Sequence, residues 1–254
     1  MAFRTYSTLL ATATAFAFGV GLATPTLALT ATSFSGGDGA FNALCAVGNG
    51  RGSGNQKCEF AIGEMRGGDR AGSAEWEVDA RDITDGNAGP NAGQFDWGNG
   101  TATSFVFSFL SGTLSLSVDD GTSSVTSSRM DVDLGGTASL FIRTRSEGGD
   151  NPGTVSLSNM SLNGMALPDL SAPGVGSDGA GYLQVSGIDW TSNWTLQGDT
   201  TFAWSNELPR GSRMNVNFKL TDIAPIPLPA AGWLLFAGLG GLGVLARRRR
   251  NHLG

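Results

Sequence analysis

TSFVFSFL-SG-TLSLSV, running from Thr103 to Val118, is the stretch that decides the fold. Side chains alternate across an extended strand. Phe105, Phe107 and Phe109 therefore share one face of the first run, and Leu114, Leu116 and Val118 share one face of the second, with Ser115 and Ser117 outward. Two alternating runs joined by two residues, here Ser111-Gly112, have the spacing of a β-hairpin. One face of such a hairpin is apolar and needs a second layer to bury it.

The pattern continues on both sides. Downstream, Asp119-Asp120-Gly121-Thr122 predicts a turn into a segment from Ser123 to Leu134. Ser139 to Arg145 reads as a strand with Leu140 and Ile142 opposite Phe141, Arg143 and Arg145. Thr154 to Met165 carries Val155, Leu157, Met160 and Leu162, and the slip of phase between Leu157 and Met160 predicts a bulge. Tyr182 to Trp190, Asn193 to Leu196 and Thr200 to Trp204 read as further strands. Met214, Val216, Phe218 and Leu220 alternate with Asn215, Asn217, Lys219 and Thr221 in the last one. Upstream, Gln94 to Trp97 reads as a short strand, preceded by a loop at Asp85-Gly86-Asn87 and Gly89-Pro90-Asn91. In Ala74 to Ile83, Trp76, Val78 and Ala80 alternate with Glu75, Glu77, Asp79 and Arg81, the mark of a half-buried strand. Thr30 to Arg70 reads as Gly-rich loops with one or two strands, and no helix is expected between the termini. Short strands with frequent turns and no repeat period predict an all-β chain, an antiparallel β-sandwich.

Composition fits that fold and bounds the function. Glycine supplies 39 of 254 residues, about twice the usual share of about 7%. Setting aside Arg4 and the four tail arginines leaves 11 basic residues against 22 acidic ones, a net charge of −11 on the part between the termini. Such a surface argues against nucleic acid as a partner. Cys45 and Cys58 are the two cysteines, and in an exported chain a disulfide is the expectation. It would staple the Gly- and Asn-rich loop from Ala46 to Lys57.

Both ends read as export signals. Arg4 precedes an apolar, uncharged run from Leu9 to Leu22, and Thr26-Leu27-Ala28 offers a small-x-small cleavage site, so residues 1–28 are expected to be a signal peptide, with a cut after Ala23 as the alternative. Residues 29–223 are then the exported domain, large enough for a core of its own. Residues 224–254 form a tripartite tail: a Pro-rich motif at 225–230, an uncharged apolar run from Ala230 to Ala246, and the cluster Arg247, Arg248, Arg249, Arg250. As a helix the apolar run would be roughly 25 Å long, just enough for a hydrocarbon core of roughly 30 Å, with the arginines held on the cytoplasmic side. The glycines from Gly238 to Gly243 also fit G-x-G-x-x-G, but no βαβ unit surrounds them.

This tail resembles the PEP-CTERM class of bacterial sorting signals, and most closely its VPLPA variant. The residues that carry the likeness are Ile226, Pro227, Leu228, Pro229 and Ala230, followed by the Gly-rich apolar run and the Arg cluster; Ile226 stands where the variant has Val. The resemblance implies processing near the motif by an exosortase, a membrane-embedded cysteine transpeptidase-like enzyme, and association with exopolysaccharide or biofilm at the cell surface. The plain alternative is a C-terminal membrane anchor that is never cut. The domain itself resembles the choice-of-anchor surface domains that precede such tails. That likeness is carried by Gln94-Phe95-Asp96-Trp97-Gly98-Asn99-Gly100, the Phe-rich strand, Leu157 to Leu167 with Asn163-Gly164, and Asn217-Phe218-Lys219-Leu220-Thr221-Asp222. It implies a fold and a location, and no chemistry.

Little in the chain points to catalysis. The one histidine is His252 in the tail, and no G-x-S-x-G elbow or His/Cys metal spacing occurs. Glu75, Glu77 and Asp79, or Asp131 and Asp133, are paired carboxylates of the type used by glycoside hydrolases; the expectation is that they are the solvated faces of strands. The same acids, with Asp119-Asp120 or Asp82 and Asp85, are oxygen ligands for a structural Ca²⁺, but no EF-hand loop accompanies them, and no cofactor is expected. Trp190, Trp194 and Trp204 would stack on sugars if exposed, giving a carbohydrate-binding adhesin; core positions are the expectation. Arg143 and Arg145 on one strand face would grip an acidic glycan if free, with a solvated face as the expectation.

Overall fold

The computed structural model describes residues 28–67, 77–85, 89, 91–146, 153–173, 179–206 and 213–225. The expected signal peptide except Ala28, the expected sorting motif from Ile226 to Ala230, the apolar run, the Arg cluster, Glu75 and Trp76 lie outside the described residues.

Two antiparallel sheets face each other. The elements in chain order are β1 (Thr30–Ser33), α1 (Gly37–Cys45), β2 (Glu59–Gly67), β3 (Val78–Asp82), β4 (Ala102–Leu110), β5 (Thr113–Asp119), β6 (Ser124–Arg129), β7 (Ser139–Ser146), β8 (Gly153–Leu162), β9 (Met165–Ala166), β10 (Leu170–Pro173), β11 (Ala180–Ser186), β12 (Trp194–Trp204) and β13 (Met214–Thr221). The first sheet has the order β1-β11-β7-β13-β2-β3; the second has β10-β8-β12-β4-β5-β6, with β9 paired to β8.

The deciding hairpin forms as its pattern predicts. β4 pairs with β5 from Ser104↔Asp119 to Leu110↔Thr113. Ser111 and Gly112 both have positive φ, 51° and 83°, the signature of a type I′ turn, whose twist matches that of the flanking strands. Phe105, Phe107, Phe109, Leu114, Leu116 and Val118 all enter the core. Phe107 stacks on Phe218 of the facing sheet at 5.0 Å, and Trp194 meets Phe107 edge-on at 5.2 Å. A Cβ at Gly63 of β2 would stand 2.6 Å from the Phe107 ring, so that position has room for no side chain while the sheets stay this close.

The expected bulge is present. Gln197 pairs with Ser161 and Asp199 with Ser158, so Asn159 and Met160 together oppose Gly198. Asn159 has φ 52°, a left-handed conformation that asparagine tolerates. It is this extra residue that returns Met160 and Leu162 to the core face.

Several expectations need correction, among them the strand expected from Tyr182 to Trp190, which ends at Ser186. A helix, α1, exists between the termini, and it lies on the outer face of the first sheet, where Phe41 and Cys45 bury against Phe141, Tyr182 and Cys58. Gln94 to Trp97 is not a strand: only Gly93 bridges to Val78, while Phe95 and Trp97 are buried as loop residues. The Trp97 indole donates to the Arg66 carbonyl at 2.7 Å, and the Asn99 side chain both donates to and accepts from the Trp204 backbone at 2.9 Å. Asn193 to Leu196 and Thr200 to Trp204 belong to a single strand, β12. The acids in and just before β3 are not a solvated face: Glu77 is 4% exposed and Asp79 0%.

The Cys45–Cys58 disulfide forms as expected. Trp190 and Trp194 are core, and Trp204 packs half-buried against it. Among the described residues no helix is long and apolar enough to cross a membrane.

Candidate functional site

Two places stand out: the end of the sandwich from which the C-terminal tail leaves, and the outer face of the second sheet.

The tail leaves from a pinned strand end. β13 closes at Thr221, which pairs with Ser139 of β7. Beyond it, the Asp222 amide donates to the Cys58 carbonyl at 3.1 Å, and the Asp222 carboxylate accepts from the Asn49 amide. Ser139 Oγ donates to the Ile223 carbonyl at 2.7 Å, and Gln184 Nε2 donates to the Ala224 carbonyl at 3.0 Å. Ile223 is half-buried against the α1 cluster; Ala224 and Pro225 are exposed. In Asn217-Phe218-Lys219-Leu220-Thr221-Asp222, the polar residues Asn217, Lys219 and Asp222 each bond on this face. Asn217 accepts from Arg143 at 2.7 Å, Lys219 donates to Glu59 at 2.6 Å with its ammonium 4.8 Å from the Phe41 ring centroid, and Asp222 holds the disulfide loop.

The N-terminal end emerges beside it. β1 begins two residues after Ala28, with Thr30 opposite Ser186 and the two hydroxyls 2.8 Å apart. Ser186 follows Val185, which pairs with Leu140 next to Ser139. Thr30 and Thr221 therefore lie at one end of the first sheet, three inter-strand steps apart, roughly 14 Å at about 4.8 Å per step.

The Arg143 side chain, expected in solvent, is 8% exposed and inside a polar network. Its guanidinium grips Asp38 of α1 by two bonds, Nε to Oδ1 at 2.8 Å and Nη2 to Oδ2 at 2.5 Å, while Nη1 donates to Asn215 at 3.0 Å and to Asn217 at 2.7 Å. The Tyr182 hydroxyl donates to Asp38 at 2.8 Å, and Arg145 Nε stands 3.6 Å from the same carboxylate. Burial pulls the Asp38 pKa up, but the hydrogen bonds and charge of Arg143, with Tyr182 and Arg145, outweigh it and hold the carboxyl below its ordinary value. Burial raises the Tyr182 pKa far enough to keep it a donor. With its four acceptor contacts made, Arg143 is a latch for α1 and has no hand left for a glycan.

The carboxylates read as paired acids are likewise engaged. Asp79 pairs with Arg81 at 2.8 Å, accepts from the Gly89 amide at 2.7 Å, and has its pKa raised, chiefly by burial. Asp82 pairs with Arg51 at 2.9 Å and caps Thr84. Asp119, Asp120 and Asp133 accept amides within their own turns; the Ser123 and Thr122 donors lower the exposed Asp120 to about 2. Asp131 is exposed with φ 58°. Among the described residues, no three His, Cys, Asp or Glu side chains converge as metal ligands. The Asp85 and Glu75 side chains are outside the described residues.

The outer face of the second sheet carries hydroxyls and amides, and sequence reasoning passed it over because such residues read as ordinary solvent-facing positions. Ser115, Ser117 and Thr126 stand toward its β6 edge, with Ser117 and Thr126 hydrogen-bonded at 2.8 Å. At the bulge an open groove of about 340 Å³ is lined by Ser104, Val106, Asn159, Gln197, Gly198 and Asp199. Asn159 donates to Asp199 at 2.8 Å, and Val106 is 39% exposed. A carboxylate, two amides and a hydroxyl beside an aliphatic patch can hydrogen-bond a polyhydroxyl ligand.

Compared with known families and curated proteins, the chain matches no family model and no curated sequence.

Proposed function

We propose that this chain is an exported, non-enzymatic protein of the cell surface or extracellular matrix, delivered by a signal peptide and processed by an exosortase-type enzyme at its C-terminal sorting signal. One observation carries this reading: Ile226-Pro227-Leu228-Pro229-Ala230, the apolar run and Arg247 to Arg250 follow one another in the order of such a signal. The exit pinned at Ile223 and Ala224 supports it, because the folded domain's last hydrogen-bonded carbonyl lies two residues before Ile226 in the chain. The burial and pairing of Asp79 and Asp82 support a non-catalytic role. Association with exopolysaccharide follows from the resemblance of the tail alone. Intact mass of the mature protein from its native host, by cell fraction, tests this. A C-terminus between Pro225 and Ala230 in the surface or medium fraction is expected. A mass that retains the four arginines in the inner-membrane fraction leaves an uncut anchor instead.

A second reading, a carbohydrate-binding adhesin, moves from the tryptophans to the groove at Asn159, Gln197 and Asp199. It expects glycan-array binding by the exported domain that is lost in Gln197→Ala and kept in Trp204→Phe. A blank array removes it.

A further inference from the structure

Among the described residues six large apolar side chains are exposed: Leu44, Val47, Val106, Leu110, Met130 and Met165. Val106 lies in the groove, midway along β4. The other five come from four separate parts of the chain, and the topology gathers them at one end.

Leu110 precedes the β4–β5 turn, opposite Thr113. Met130 follows β6, whose last residue pairs with Leu114, and the Val132 amide reaches back to Gly112 of that turn. Met165 follows the Asn163-Gly164 turn, and Asn163 is bonded to Thr195 at the start of β12. Trp194, beside it, pairs with Phe109. β12 is entered from Ser186, the residue opposite Thr30. Leu44 and Val47 flank Cys45, whose disulfide partner Cys58 accepts from the Asp222 amide. All five therefore sit at the end where β1 begins and the tail leaves. Val47 and Met130 are 76% and 72% exposed, and it is the gathering of five such side chains at one end, not the exposure of any one, that marks the surface.

We propose that this end of the sandwich is a membrane-facing surface that rests on the lipid headgroups while the tail spans the bilayer. The proposal rests on the reading of Ala230 to Ala246 as a membrane helix. Ala224 is pinned to Gln184, so only Pro225 to Pro229 separate the sandwich from that helix. Five residues reach at most about 17 Å fully extended. The headgroup layer takes about 6 Å of that. Such a short tether holds the exposed Leu44, Val47, Leu110, Met130 and Met165 against the interface, where apolar side chains are favoured. Asp131, Asp133 and Asp189 are exposed at the same end and outnumber the neighbouring Arg129 and Lys57, so the surface fits zwitterionic lipid better than anionic lipid. Contact ends when the tail is cut, which makes it a property of the precursor.

Photocrosslinking of the full chain in phosphatidylcholine nanodiscs tests this. A benzophenone amino acid is placed in turn at Val47, Met130 and Met165, at Thr122 on the opposite end of the sandwich, and at Leu234 in the tail, and adducts are read by mass spectrometry. Lipid adducts at positions 47, 130, 165 and 234, with none at 122, are expected, and they should fall when half the lipid is exchanged for phosphatidylglycerol. Lipid adducts at 234 but not at 47, 130 or 165 overturn the proposal and leave the membrane helix standing. No lipid adduct at 234 removes the membrane helix, and the proposal with it. Protein–protein adducts at 130 in place of lipid ones overturn it in favour of a second copy as the occupant. Equal lipid adducts at 122 and 130 also overturn it, because the sandwich then has no preferred end.

Discussion

Arg143 concentrates more of the outer-face polar chemistry than any neighbour, since it links α1, β7 and β13 through Asp38, Asn215 and Asn217. Breaking a buried pair costs more than the pair is worth, because the abandoned partners stay desolvated. Arg143→Leu is therefore expected to lower unfolding free energy by about 3 kcal/mol, at the lower end of the usual range because the Asp38 side chain is 27% exposed. Arg143→Lys should recover only part of this, since an ammonium cannot reproduce the fork. Urea midpoints at constant m-value measure both, and equal loss in the two variants would mean that charge, not geometry, holds α1. Two aspartates then make opposite contributions in acid. The folded-state pKa of Asp38 is depressed, so its stabilisation is complete above the unfolded value of about 3.9 and is lost as pH falls through the folded one. The Asp79 pKa is raised by burial, so its ionised form costs stability above the folded pKa, and that cost disappears as pH falls. Urea midpoints followed down through the acid range should fall less steeply in Asp38→Asn than in the native chain, and more steeply in Asp79→Asn. The same slope in both variants would show that neither group is coupled to folding.

The element that the disulfide secures is α1, nine residues long with no side-chain N-cap and glycine at its start. A helix that short has little stability of its own. It is held by Phe41 against Phe141 and Tyr182, by the Asp38 latch, and by Cys45–Cys58, whose 13-residue separation is worth about 3 kcal/mol in the loop-entropy picture. Reduction, or Cys58→Ser, should therefore speed chymotryptic cleavage after Phe41 well before cleavage in β4 or β5. Simultaneous loss of both regions would mean that the module and the sandwich unfold as one unit. The same element marks where sequence reading stopped. β4 and β5 were legible because each buries one face, and β13, buried on both, was legible because its outer-face residues Asn215, Asn217, Lys219 and Thr221 are polar. The first sheet is covered on both faces, and there the pattern blurs: Phe141 and Tyr182 lie under α1 on the side opposite Leu140 and Leu183. Alternating polar residues in β3 and β7 looked like solvated faces because a buried ion pair and an exposed charge have the same letters. The short helix of Gly37–Cys45 was hidden by its glycines. The groove was missed because its lining comes from β4, β8 and β12, far apart in sequence.

At the scale of the whole molecule, the end of β13 separates the folded domain from the segment proposed to be processed. Four hydrogen bonds hold the segment just beyond β13: Asp222 amide to Cys58, Asn49 amide to Asp222, Ser139 to Ile223 and Gln184 to Ala224. Each is worth about 0.5–1.5 kcal/mol net. A cut anywhere in Ile226 to Ala230 leaves all four in place, so removal of the tail should cost the sandwich nothing. A cut four residues earlier removes them together with the half-buried Ile223. A chain of residues 29–225 is therefore expected to be more stable than one of residues 29–221 by about 3 kcal/mol, from the sum of those bonds. The comparison is a pair of urea titrations, with the Cys45–Cys58 disulfide intact in both. If the shorter chain is equally stable, the pins contribute nothing and the folded domain does not set where the tail becomes free. If it is less stable as expected, the strand end itself fixes the first residue open to a processing enzyme, and that residue is Pro225, the first beyond the pinned Ala224.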